Sequence, residues 1–211
     1  CSLVLKMLKD EKMGYEDFNE DKFIKMIGSA IENYDKDLSN HCKRTADLSL
    51  KVAESLSLKD SDDIYKASLV HDIGKIFIDP NILLKAGSLS PEERKSVDKH
   101  SVIGYIYLKS LGFKDSICEM VLFHHGYCKD IYDISGKNVN KFYADIIRAC
   151  DIFDAVTHKR TYHDEMPVSE ALKIIKGQKE RISSDIINIL VRLQEKDKWC
   201  EENKLSTDVI V

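Results

Sequence analysis

An all-α fold is predicted for this chain of 211 residues. Three observations carry the prediction. Apolar residues recur at helical spacing along most of the sequence, no segment alternates apolar and polar residues as a strand would, and only three prolines and nine glycines interrupt the pattern. Phe23, Met26, Ile27 and Ile31 mark a first helix ending near Asp37. Leu48, Val52 and Leu56 continue a second that includes His41 and Arg44, and a third runs from Asp62 to Ile73. Ser90-Pro91-Glu92-Glu93 is a helix start: a serine cap, proline in the first turn and glutamate at the capping-box position. The helix after it places His100, Gly104, Tyr107, Leu108 and Leu111 on one face. Asp115 to His125 forms the next, with Ile117, Val121, His124 and His125 on one side. Further helices span Tyr143 to His158, Ser169 to Lys176 and Ile186 to Gln194, the last within an amphipathic, solvated stretch from Gln178 to Lys204. Two loops remain, Phe77 to Ser90 and Gly126 to Asn140, and the second is placed to cover whatever the paired histidines before it do.

Composition narrows the classes of function. Apolar residues make up 43% and charged residues 32%, as in ordinary globular proteins, and the net charge of −4 argues against a broad surface for DNA or RNA. A ligand bearing phosphate would therefore be held by local charge, which metal ions can supply. No apolar stretch is long enough to cross a bilayer and no secretory pattern opens the chain. The six cysteines are scattered without a CxxC pair, which reads as reduced, partly buried thiols in a cytoplasmic protein. The first residue is Cys1 rather than methionine, as in a piece of a longer protein with sensory or membrane modules elsewhere.

Chemistry concentrates in five of the seven histidines and two carboxylates: His41, His71-Asp72, His100, His124-His125 and Asp151. Imidazole nitrogen and carboxylate oxygen together suit first-row divalent metals, which make water nucleophilic near neutral pH. One buried histidine is usually a satisfied core residue. Seven potential ligands with two adjacent pairs point instead to a metal centre. Neighbours on a helix point about 100° apart, so His71 and Asp72 would serve two adjacent ions, with the carboxylate bridging. His124-His125 repeats that geometry, and Asp151 would close the coordination sphere opposite His71-Asp72. Two ions about 3.5–4 Å apart suit in-line displacement at phosphorus. Lys75 lies one turn beyond the pair, placed to neutralise a phosphate oxygen.

His71-Asp72-Ile73-Gly74-Lys75 resembles the signature of the HD-domain metal-dependent phosphohydrolases, and the wider pattern resembles their HD-GYP subfamily. The supporting elements are His41-Cys42-Lys43-Arg44, the segment Pro80 to Leu89, His100 with Gly104, His124-His125, and Ala149 to Val156 followed by Arg160 and Tyr162. The likeness covers roughly residues 37 to 176. It implies a helical HD core with extra N- and C-terminal helices, divided as residues 1–36, 37–180 and 181–211. It also implies two or three divalent metal ions, iron or manganese, and hydrolysis of cyclic di-GMP to a linear dinucleotide or GMP in bacterial second-messenger signalling. In this resemblance Asp72 bridges the ions and positions the attacking water, while Lys75 and Arg160 hold the phosphate. Asp37 stands where some trinuclear relatives carry a glutamate ligand.

The segment after His125, Gly126-Tyr127-Cys128-Lys129-Asp130, lacks the glutamate and the G-Y-P loop of that subfamily, which opens the choice of substrate. The alternatives are an HD phosphohydrolase for another cyclic nucleotide or a nucleotide phosphate, and a non-catalytic HD signalling module. Asp154 reads as structural, and His158 and His163 as residues of the pocket rim or surface. Exposed helices at either end could pair two copies or join a sensory domain.

Overall fold

The computed structural model describes residues 19–126, 140–158 and 165–202. Helix α1 (Glu20–Tyr34) starts where the Asn19 side chain accepts from the Lys22 N–H at 2.9 Å, with Glu20 and Asp21 favourably placed in its first turn. The helix stops before the predicted end at Asp37. Asp35 adopts extended backbone and its carboxylate accepts from the N–H groups of Asp37 and Leu38, which starts α2 (Lys36–Ser55). Asp37 thus belongs to the first turn of the second helix.

Helix α3 (Ser61–Val70) is also shorter than its predicted end at Ile73. His71 caps it, and the chain tightens into a 3-10 helix, Ile73–Phe77, through a Lys75 N–H to Asp72 carbonyl bond of 2.9 Å. Gly74 supplies the physical reason for the tight passage. An added Cβ there would lie 1.9 Å from the His100 carbonyl oxygen and 2.9 Å from the Gly104 nitrogen, so two backbones touch at this point.

Within the predicted loop a short α4 (Pro80–Leu83) forms, capped by Asp79 and opened by proline. Helix α5 (Pro91–Val97) has the expected capping box: the Ser90 hydroxyl accepts from the Glu93 N–H, and the Glu93 carboxylate accepts from the Ser90 N–H. After two intervening residues α6 (His100–Leu111) begins. It ends at Gly112, whose φ of +87° lets its N–H reach back to the last carbonyls. Helix α7 (Asp115–Phe123) stops two residues short of the predicted His125, leaving both paired histidines beyond its last turn. Helices α8 (Lys141–Thr157), α9 (Val168–Lys176) and α10 (Ser184–Glu202) complete the chain. There is no strand among the described residues, in agreement with the all-α expectation.

The core forms where α2, α3, α7 and α8 meet. Val52, Ile64, Val70, Ile117, Val121, Ile146 and Ile147 are buried there, each contributing about 1.5–3 kcal/mol from removal of its side chain from water. Ile24, Ile27 and Ile31 of α1 and Ile186 and Leu190 of α10 join the same cluster. Cys42, Cys118 and Cys150 are buried free thiols, and burial pushes Cys118 and Cys150 up to about 12. No described helix is long and apolar enough to cross a membrane.

Candidate metal centre

Three histidines reach the centre by the same local device. His71 and His124 stand directly past the last residues of α3 and α7, and His100 opens α6 three residues after α5 ends, each within reach of a helix-end carbonyl that lacks an intrahelical partner. Each ring turns Nδ1 back onto the carbonyl three residues earlier: His71 on Ser68 at 2.7 Å, His100 on Val97 at 2.6 Å and His124 on Val121 at 2.6 Å. A carbonyl only accepts, so Nδ1 carries the proton and the Nε2 lone pair faces inward. His71 and Asp72 therefore diverge through a helix end and its tightened continuation, and not along one continuous helix as the sequence had implied.

His41 comes from the middle of α2 and is held differently. Its Nδ1 lies 2.6 Å from Asp154 Oδ2 on α8, and the same carboxylate accepts from Arg44 Nε at 2.6 Å and Nη2 at 3.0 Å. Asp154, expected only to bond a helix end, orients an imidazole of the centre. His158 stands 3.0 Å from Asp154 Oδ1 at the cavity rim, as expected.

The inward atoms form two clusters joined by one carboxylate. His41, His71 and Asp151 present ligand atoms within 4.8 Å of one another, with His41 Nε2 3.0 Å from Asp151 Oδ1. His100, His124 and His125 form the second cluster, with Nε2 of His100 3.3 Å from that of His124 and 3.0 Å from that of His125. Asp72, 1% exposed, stands between them. Its Oδ2 is 3.3 Å from His71 Nε2 and 3.8 Å from His41 Nε2, while its Oδ1 is 3.2 Å from His100 Nε2. Cys42 adjoins His71 and Asp72 in a third overlapping group.

This donor set fits divalent ions. Ligands at about 2.0–2.2 Å from one ion lie about 3 Å apart when adjacent, close to the 3.0 Å between His41 and Asp151 and the 3.0 and 3.3 Å measured from His100, while His71 Nε2 stands 3.9 Å from Asp151 Oδ1. With both Nδ1 protons donated to carbonyls, the Nε2 atoms of His100 and His124 turn lone pairs on each other, and a cation between them resolves the repulsion. His71 Nε2 and Asp72 Oδ1 are likewise buried without a hydrogen bond among the described residues.

Burial and neighbouring charges push the ionisation of these groups in different directions. Burial works against ionisation of Asp72, but Lys75, then His71 and His100, outweigh it and hold the carboxyl well below the ordinary range. Burial works against Asp151 in the same way, and the His41 hydrogen bond followed by His71 overcomes it. Desolvation disfavours charge on His71, yet Asp72 and then Cys42 raise it well above the ordinary histidine value. His124 is driven well down by burial, then by His125, and His125 falls to about 4 from desolvation and His100 although one edge faces the cavity.

Cavities of about 800 and 710 Å³ flank the centre, sharing Lys75, Arg94 and Val97 as a common wall. Lys75 donates to Asp72 Oδ2 at 2.6 Å, so a phosphate would share that ammonium with the carboxylate. Asp37 is exposed in the wall of the smaller cavity and belongs to none of the three ligand groups. Arg160 and His163 lie outside the described residues, as does most of the segment Gly126 to Asn140. Arg94 and Arg148 were missed by the sequence reading. Arg148 precedes Asp151 by three residues, one turn away on the same face of α8, and that spacing was the available signal.

Comparison with known proteins places these features in a family. A family model described as HD domain matches residues 25–186. A cyclic di-GMP phosphodiesterase of Thermotoga maritima is 29% identical over 201 residues, covering 86% of this chain and 51% of the relative. A 3'3'-cGAMP-specific phosphodiesterase of Vibrio cholerae is 25% identical over 193 residues, covering 87% of this chain and 43% of its own length. This chain spans about half the length of the curated relatives it matches. Among solved structures, the HD domain of the Listeria monocytogenes (L. monocytogenes) phosphodiesterase PgpH superposes with a TM-score of 0.60 at 19% identity, covering 78% of this chain and 92% of that one. The same domain has been crystallised in complex with cyclic-di-AMP.

Proposed function

The chain belongs to the HD domain family, and from that membership we propose that it is a metal-dependent phosphodiesterase opening a cyclic dinucleotide, cyclic di-GMP first among substrates. The observation that carries the reading is the placement of Asp72, whose two oxygens reach toward separate ligand clusters. His41, His71 and Asp151 would hold one ion, His100, His124 and His125 the other, and Asp72 both. Iron or manganese suits such nitrogen and oxygen donors. Bound divalent ions lower the pKa of water and neutralise charge developing on phosphate oxygens.

The side chains divide the remaining work. Asp72 fixes the relative position of the two clusters. Lys75, already at Asp72, turns part of its charge to a phosphate oxygen, and Arg160 is assigned to the same phosphate by resemblance. Water would attack phosphorus in line, forming one P–O bond as the P–O bond to the opposite sugar oxygen breaks; that oxygen takes up a proton and leaves as a hydroxyl, giving a linear dinucleotide that a second round would convert to mononucleotides. Asp37 would be called on only if a third ion bound. All seven ligands fall within residues 37–180, which we take as the catalytic unit, with 1–36 and 181–211 as helical extensions in a cytoplasmic signalling protein.

The test is turnover of cyclic di-GMP, 3'3'-cGAMP and cyclic di-AMP, alongside mononucleotides, by manganese-loaded protein and its Asp72→Ala variant. The expected result is cyclic-dinucleotide cleavage with about two ions per chain, both lost in the variant and after chelation. Undiminished cleavage in Asp72→Ala overturns the role of the centre. Cleavage of mononucleotides alone identifies a nucleotide phosphohydrolase instead.

A further inference from the structure

The two cavities beside the centre differ in how their cations are neutralised. On the His41 side, Arg44 is tied to Asp154, Lys85 to Glu93 at 2.7 Å, and Lys75 to Asp72. On the His125 side, Arg148 and Arg181 line the wall without an ion pair among the described residues. Asp98 and Glu180 also line that cavity, as does Lys141, which faces Asp145 at 3.6 Å, while Arg94 and Lys75 are shared with the other cavity.

Arg148 is held where an anion beside the metal centre would meet it. Gly126 directly follows His125 and has a φ of +105°, and a Cβ on it would lie 2.7 Å from Arg148 Nη1. The guanidinium thus lies against the backbone directly after His125, and a side chain at position 126 would displace its flexible end. Asp145, one turn earlier on α8, does not close on Arg148. Its Oδ2 lies 3.6 Å from Lys141, and its Oδ1 is buried without a hydrogen bond among the described residues. Desolvation, then Arg181, pulls Arg148 below its ordinary range, so its charge is one that the fold leaves under-compensated.

A cyclic dinucleotide carries two phosphodiesters, and only one can lie at the attacked position. We propose that Arg148 and Arg181 hold the second, unreacting phosphate, on the His125 side of the centre. This assignment rests on the phosphodiesterase reading above. Guanidinium suits the task because its planar fork binds phosphate oxygens in pairs and keeps its charge when partly desolvated.

The experiment compares two substrates on the manganese-loaded full chain: cyclic di-GMP and bis(p-nitrophenyl) phosphate, which has a single phosphodiester. Arg148→Ala and Arg181→Ala are each expected to lower the ratio of kcat/KM for the dinucleotide over the aryl ester at least tenfold, through KM for the dinucleotide. Arg148→Lys should recover part of the loss. Arg181 is exposed, so its variant decides the matter if Arg148→Ala fails to fold. Wild-type cleavage of both substrates with an unmoved ratio in the variants overturns the second-phosphate site alone. A wild-type protein that cleaves the aryl ester and no cyclic dinucleotide overturns the functional reading and the site with it.

Discussion

Replacing Gly74 with alanine tests whether backbone contact between the HD turn and α6 assembles the centre. Gly74 follows Asp72 by two residues and abuts the carbonyl of His100, so one methyl group would enter between ligands of both clusters. The added Cβ would fall 1.9 Å from that oxygen, where ordinary contact begins at 3.4 Å, requiring a displacement of about 1.5 Å. The obstruction is backbone on both sides, and no flexible side chain can swing away. Overpacking of this kind costs about 3 kcal/mol, at the upper end of the usual range, or a fall in Tm of about 6–12 °C. The φ of Gly74 lies outside the left-handed region, so the cost is steric and not torsional. Separation of His100 from Asp72, now 3.2 Å apart, should also reduce metal content toward the ions held by His41, His71 and Asp151. The assay pairs thermal unfolding with metal analysis, using Gly28→Ala as control, since a Cβ there meets nothing within 4 Å. The control should gain about 0.5–1 kcal/mol from helix propensity. A Gly74→Ala protein with unchanged Tm and full metal content would refute the argument.

Two further expectations concern the periphery of the centre and its response to acid. Asp154→Ala frees His41 Nδ1 and leaves Arg44 without its carboxylate, which should cost about 2–4 kcal/mol in denaturant unfolding and weaken manganese binding about 10–100-fold. Equal metal affinity in wild type and variant would show that His41 needs no orienting partner. In chelated protein, folding stability should fall as pH drops from about 6.5 toward 4. The unfolded chain protonates its histidines near 6.5, whereas His124 and His125 resist, the latter to about 4. Below about 3.9 the depressed carboxyls Asp72 and Asp154 add to the loss. His71 acts oppositely, its raised pKa contributing stability that is present below about 6.5 and disappears as pH rises through its folded value. A denaturation midpoint that stays level or climbs between pH 6.5 and 4 would contradict the balance in favour of His124 and His125.

Much of the molecule was legible in the sequence because helical periodicity and capping are local. The Ser90 to Glu93 start signal forms as written, and the seven residues singled out by type and order as candidate ligands lie close together. The errors cluster at helix ends. The periodicity at Ile73 and at His125 continued in apolar or aromatic character after the hydrogen-bonded ladder had stopped, so composition overran the true termini. The break expected near Asp37 falls at Asp35, a single residue that serves both helices around it, which left the boundary two residues off. Arg148 escaped notice for another reason: a lone arginine in a helix looks like any solvated cation until Gly126 is seen to lie against it.

Anchoring of His71, His100 and His124 to main-chain carbonyls has a consequence for loading. The carbonyl bonds already fix these ring orientations without an ion, so capture needs no rotation of these three side chains. Cations of similar radius should therefore exchange in place, leaving cellular supply to select among them.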